Sequence, residues 1–127
     1  MKTLLLVAIA GAVGSASRYL VSLGAARLFG PGFPYGTLTV NVVGSFLIAL
    51  IMQIGLRTEA LTPVMRITLT TGFLGGFTTY SAFNYESLDL MSRGAWRLAF
   101  TNLAATLLSC LVAGMLGFRV ARTVMGR

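Results

Sequence analysis

The 127-residue sequence predicts an all-α membrane protein with four transmembrane helices, and its composition and charge placement carry that expectation. Apolar residues make up 56% of the chain, mean hydropathy is +0.84, and only 10 Lys and Arg and 3 Asp and Glu are present. Soluble domains carry roughly a quarter charged residues, whereas here the charges fall almost entirely between four long uncharged stretches. A helix needs about 20 residues to cross the hydrocarbon core, so four crossings use roughly 80. No second folded unit fits, and residues 1–127 are expected to form one transmembrane domain.

The first stretch runs from Thr3 to about Ala26, interrupted only by Arg18. Lys2, the run Leu4 to Val13 and the small residues Gly14-Ser15-Ala16 also fit a cleaved signal peptide. Apolar character resumes at Tyr19-Leu20-Val21, however, which makes the segment long enough to span. The connector Phe29-Gly30-Pro31-Gly32-Phe33-Pro34 breaks any helix, because Pro lacks a donor and Gly is permissive. Span two, Gly36 to Leu56, has no charge, and Thr37, Asn41 and Ser45 recur at i, i+4 and i+8 on one helix face. After the polar connector from Arg57, Thr62 is placed to cap a third helix with Pro63 at its first position.

Helix three is expected from about Val64 to Met91, with Gly75-Gly76-Phe77-Thr78-Thr79 near its centre. Gly costs about 1 kcal/mol relative to Ala in a helix interior, so a break near the midplane is predicted. Irregular backbone at that depth is tolerated only where protein buries it or a polar cavity adjoins it. Such breaks present carbonyls at one half-helix end and amides at the other, suited to a cation and an anion respectively. The competing reading is that Gly72, Gly75 and Gly76 only allow close helix packing. Span four, Leu98 to Phe118, carries a second polar stripe of Asn102, Thr106 and Ser109 or Cys110.

Missing residues narrow the function. There is no His, one Cys (Cys110), and three acids, Glu59, Glu86 and Asp89. Transition-metal clusters, Ser/His or Cys/His nucleophiles and intrachain disulfides are therefore absent, and an enzyme is not expected. The net charge of +7 is scattered one or two residues per loop, the pattern of membrane-flanking anchors rather than of a nucleic-acid surface. A lone membrane Ser or Thr bonds back to its own helix. Two stripes, each containing an Asn, favour a shared polar path or an interhelical seam, with Asn41 and its two amide donors the sharper candidate.

Gly36-Thr37-Leu38 through Asn41 and Gly44, followed by Thr71-Gly72-Phe73-Leu74-Gly75-Gly76 and Thr78-Thr79-Tyr80-Ser81-Ala82-Phe83, resembles the fluoride channel family of the CrcB/Fluc type. Gly14, Arg18, the four-span length and the short basic connectors also fit, so the resemblance covers essentially the whole chain. It implies passive channels that let fluoride leave the cytoplasm, multi-pass in the plasma membrane (the bacterial inner membrane). It further implies an antiparallel, dual-topology homodimer with two fluoride pores and a structural Na+ at its centre. On that resemblance Asn41 points its amide toward the pore, and Tyr80 and Phe83 occupy the places of the two pore-lining phenylalanines. Thr37, Ser81, Asn102 and Thr106 line the polar route, Arg18 is a vestibule charge, and the backbone from Gly75 to Thr78 supplies carbonyls to Na+.

The residue types suit that chemistry. Fluoride is costly to desolvate, so a pore must replace its water with donors. Asn41 amide hydrogens, Thr and Ser hydroxyls and the positive ring edge of Phe83 provide them. With no basic side chain in the narrow region, an anion is not held too firmly to leave. An even number of spans puts both termini on one side with Lys2, Arg57, Arg66, Arg119, Arg122 and Arg127, six cations against Arg27, Arg93, Arg97 and a snorkelling Arg18. Such a weak bias is compatible with insertion both ways.

The chain departs from the family box TTFSTF at Tyr80 and Ala82, and directly after the box Asn84 stands in place of a small polar residue. The extra phenol hydroxyl puts conduction rate or selectivity in question, and pairing with a different homologous subunit is a further possibility. The rival readings are a small dual-topology, proton-coupled multidrug transporter, which needs an intramembrane acid that only Glu86 offers, and a membrane assembly protein that transports nothing.

Overall fold

The computed structural model describes residues 1–126, and every regular element among them is helical. Helix α1 spans Lys2–Phe29 and α2 spans Tyr35–Arg57. Next come α3 (Pro63–Ile67), a π-helical segment (Thr68–Leu74), α4 (Gly75–Phe77) and α5 (Tyr80–Ser92), before α6 closes the chain over Trp96–Val124. Three helices, α1, α2 and α6, are long and apolar enough to cross a membrane. None of the pieces from α3 to α5 reaches the length a crossing needs on its own. The chain is an all-helical, multi-pass membrane protein.

Local chemistry sets the boundaries. Thr62 accepts the N–H of Met65 at 3.2 Å with Pro63 in the first helical position, as its residue types predict. Gly30 (φ 79°) ends α1 and Gly94 (φ 76°) turns the chain between α5 and α6, both in a region that costs other residues strain. Helices α1 and α6 run beyond the expected limits of Ala26 and Leu98 to Phe118, because polar and basic residues at the interface continue the helix past the apolar core. The π-helical turn over Thr68–Leu74 was not foreshadowed by any periodicity in the sequence.

Packing rests on small residues, since lipid tails supply no hydrophobic drive between helices. A Cβ on Gly14 would lie 2.1 Å from the Phe73 carbonyl oxygen, and one on Gly76 would lie 2.3 Å from that of Gly11. A Cβ on Gly72 would meet the Ala10 Cβ at 2.8 Å. Thus α1 lies directly against the π-helical segment and α4. The α2–α6 interface is the most extensive, and a Cβ on Gly117 would meet the Phe46 carbonyl oxygen at 2.4 Å. Val40, Leu74 and Phe77 form the apolar core, with Phe73 stacked on Phe77 at 5.6 Å. Leu4, Leu5, Leu107, Leu108 and Leu111 point outward while Asn41, Thr79, Ser87 and Asn102 are buried, the inverse of a soluble protein.

Candidate functional site

Helix α4 ends at Phe77, and Thr78 (φ −87°, ψ 160°) and Thr79 (φ −155°, ψ 120°) are extended before α5 begins at Tyr80. Each threonine repairs one side of this interruption. Thr78 donates its N–H and its hydroxyl to the Leu74 carbonyl, both at 2.9 Å. Thr79 caps α5 by accepting the Ala82 N–H at 3.2 Å. The buried Asn41 amide then binds the Thr79 backbone twice, donating from Nδ2 to its carbonyl at 2.9 Å and accepting its N–H on Oδ1 at 2.8 Å. Gly44, one turn further along α2, lets Thr78 approach so closely that a Cβ would sit 2.1 Å from the Thr78 Cγ2.

What the repair leaves open is as informative. Among the described residues no backbone N–H closes on the carbonyls of Gly75, Phe77 or Thr78, and the Gly76 carbonyl receives only the Ser15 hydroxyl at 3.5 Å. Carbonyl dipoles thus converge at the end of α4 and free amides at the start of α5, giving the two ends opposite partial charges. Gly75 differs from its neighbours: nothing lies nearer than 3.7 Å to a Cβ there, so packing explains Gly72 and Gly76 but not Gly75.

Beside this interruption lies an open groove of about 770 Å³ between α2, α5 and α6. It brings together Asn41, Tyr80, Phe83 and Thr106 from the predicted route with Gly75 and Thr78. The Tyr80 and Phe83 rings meet edge to face at 5.8 Å. Tyr80 is 77% exposed, and its hydroxyl has no partner among the described residues.

The other predicted residues lie outside that groove. Thr37 donates to the Glu86 carboxylate at 2.7 Å beside a second cavity of about 210 Å³ near the α1–α2 connector. Ser81 sits on the first turn of α5, 3.4 Å from the Thr79 hydroxyl. Asn102 is 1% exposed and donates to the Ser87 hydroxyl at 3.0 Å, while accepting from Thr106 at 3.4 Å. Arg18 is half-buried on α1 and makes no side-chain hydrogen bond among the described residues. Ser45 and Ser109 turn their hydroxyls back to the carbonyls of Asn41 and Ala105, the ordinary behaviour of a membrane serine.

One participant, Ser87, is not singled out by the sequence. Ser87 donates to the Phe83 carbonyl at 2.8 Å while accepting from Asn102, tying α5 to α6. Its place four residues after Phe83, on the same face, was the available signal. Glu86 faces Thr37, whereas Asp89 pairs with Arg93 at the end of α5.

A protein family described as CrcB-like protein, Camphor Resistance (CrcB), matches residues 5–118. A protein of Anaeromyxobacter sp. (strain K) named Fluoride-specific ion channel FluC is 51% identical, across 99% of this chain and 100% of its own. Proteins of the same name from Sorangium cellulosum and Geobacter sulfurreducens are 47% and 48% identical, over 94% and 96% of this chain and 94% and 98% of theirs. With the family matched over most of the chain and relatives matched nearly end to end, this chain belongs to the CrcB-like family.

Proposed function

We propose that this chain is the subunit of a passive, fluoride-selective channel, not an enzyme, which lets fluoride leave the cytoplasm and so limits its toxicity. The observation that carries the reading is the groove in which Asn41, Thr106, Tyr80 and Phe83 meet at the helix interruption, in a chain whose end-to-end relatives bear the name of a fluoride channel. One Asn41 Nδ2 hydrogen is used on Thr79, which leaves the other for an anion in the groove. The Tyr80 hydroxyl and the edge of Phe83 add neutral donors, which replace water without trapping the ion, and Thr106 lines the same groove. Thr37, Ser81 and Asn102 extend this polar route, and Arg18 raises the local anion concentration at its mouth.

In this reading two subunits pair antiparallel in the bacterial inner membrane, closing the groove against lipid and placing the interrupted third span near the midplane. A groove containing Asn41 and bare carbonyls is costly against hydrocarbon, and the near balance of loop cations supports insertion both ways. A structural Na+ at the dimer centre would rest on the carbonyl oxygens of Gly75 and Thr78. Those oxygens lack backbone donors and suit a hard cation, and the ion would supply fixed positive charge between the subunits. A second, homologous subunit could take the partner's place, with Tyr80 as the difference that such pairing complements.

The purified protein in sealed vesicles is expected to dissipate a fluoride gradient far faster than a chloride gradient without a proton gradient. Equal leak of both halides, or no fluoride flux, refutes the channel reading. Dependence on a proton gradient would select the coupled transporter instead.

A further inference from the structure

The bidentate contact between Asn41 and Thr79 points to a second duty for this side chain, one that rests on the proposed cation site and deepens it. We infer that Asn41 is a positioning residue for the helix interruption, directing the Thr78 carbonyl that, with that of Gly75, would hold Na+, in addition to any contact it makes with an anion.

The geometry supports three steps. First, both polar atoms of the amide are engaged: Nδ2 with the Thr79 carbonyl at 2.9 Å and Oδ1 with the Thr79 N–H at 2.8 Å. Two antiparallel hydrogen bonds to one residue fix its peptide planes, not merely its distance, in the way a neighbouring strand would. Second, the Thr78 carbonyl belongs to the peptide unit whose N–H is the one Asn41 accepts, so the orientation of that oxygen is set by the Asn41 Oδ1 contact. Third, α2 touches the interruption at Gly44 as well, where Thr78 Cγ2 fills the space of a missing side chain. One face of α2 therefore seats both extended residues, and the carbonyls of Gly75 and Thr78 remain without backbone donors. Asn41→Ala removes both arms of the clamp, including the Oδ1 acceptor for the Thr79 N–H that sets the Thr78 carbonyl.

The test measures thermal unfolding of the detergent-purified protein against NaCl, with the impermeant cation N-methyl-D-glucamine as the ionic-strength control, beside fluoride efflux from vesicles. The wild-type protein should gain stability with a saturable Na+ midpoint. In Asn41→Ala that midpoint should rise at least tenfold, and flux should fall. Thr106→Ala, at a groove-lining residue whose hydroxyl bonds Asn102 rather than Thr78 or Thr79, should lower flux and keep the wild-type Na+ midpoint. If Asn41→Ala does not purify folded, Asn41→Ser, whose hydroxyl is too short to bridge both Thr79 groups, is read by the same criterion. A wild-type Na+ response with an unchanged midpoint in the Asn41 variant overturns the inference alone. Absence of any Na+ response in the wild-type protein overturns the cation site itself and the inference with it.

Discussion

The approach of α1 to the π-helical segment is close enough to predict opposite outcomes for two Gly-to-Ala substitutions on one helix. A Cβ on Gly14 would lie 2.1 Å from the Phe73 carbonyl oxygen and 3.0 Å from Phe73 C and Phe77 N, all backbone atoms that no rotamer change can move. Normal contact is about 3.5 Å, so α1 must retreat by roughly 1 Å or more along the interface. A Cβ on Gly24 meets nothing within 4 Å. Both substitutions gain up to about 1 kcal/mol of helix propensity, but overpacking at Gly14 costs about 1–3 kcal/mol. Gly14→Ala should therefore be net destabilising and Gly24→Ala neutral or stabilising, as read from thermal unfolding in detergent. Because Phe73 and Phe77 carry the displacement directly to the Thr78–Thr79 interruption, Gly14→Ala should also lower fluoride flux, whereas Gly24→Ala should not. Equal unfolding temperatures for the two variants would refute the packing argument.

Three further outcomes follow from the polar contacts. Ser87→Ala strands the Asn102 amide in a site that is 1% exposed and should cost about 1–3 kcal/mol, with Ser87→Ala/Asn102→Leu costing less than the separate effects combined in a double-mutant cycle of unfolding. Tyr80→Phe removes a hydroxyl that has no partner among the described residues, so stability should stay within about 0.5 kcal/mol while the fluoride-to-chloride flux ratio changes. Thr62→Ala removes the cap on the Met65 N–H and should cost about 1 kcal/mol, again read by thermal unfolding, with flux unchanged.

Much of the fold was legible because lipid leaves few options. Uncharged runs located α1, α2 and α6, and Thr62-Pro63 marked the start of α3 through cap chemistry alone. Gly75-Gly76 with Thr78-Thr79 stand where α4 ends and α5 begins, since weak helix formers and capping side chains occur together there. Spacing could not assign partners. Asn41 and Asn102 both read as stripe residues, yet one binds backbone at the interruption and the other a serine on α5. That distinction depends on which helix faces which, a tertiary fact with no local signature. The same applies to Thr37, whose hydroxyl goes to Glu86 beside the second cavity rather than into the groove that Thr106 lines.

Glu86 offers the clearest separation of the channel from a coupled transporter. Its Oε1 accepts the Thr37 hydroxyl at 2.7 Å, a contact that the amide oxygen of Gln can also make. Glu86→Gln therefore removes the charge and the titrating proton while keeping the hydrogen bond and the side-chain volume. A proton-coupled exporter with no other acid in its helical core loses its proton carrier with this change, and substrate movement driven by a proton gradient should vanish. A passive channel needs no proton carrier, so fluoride should still move down its gradient, in preference to chloride, when proton gradients are collapsed by an ionophore. Fluoride flux from the Glu86→Gln protein that survives the ionophore leaves no place for coupling. Loss of that flux, with the wild-type protein also sensitive to the ionophore, refutes the passive mechanism.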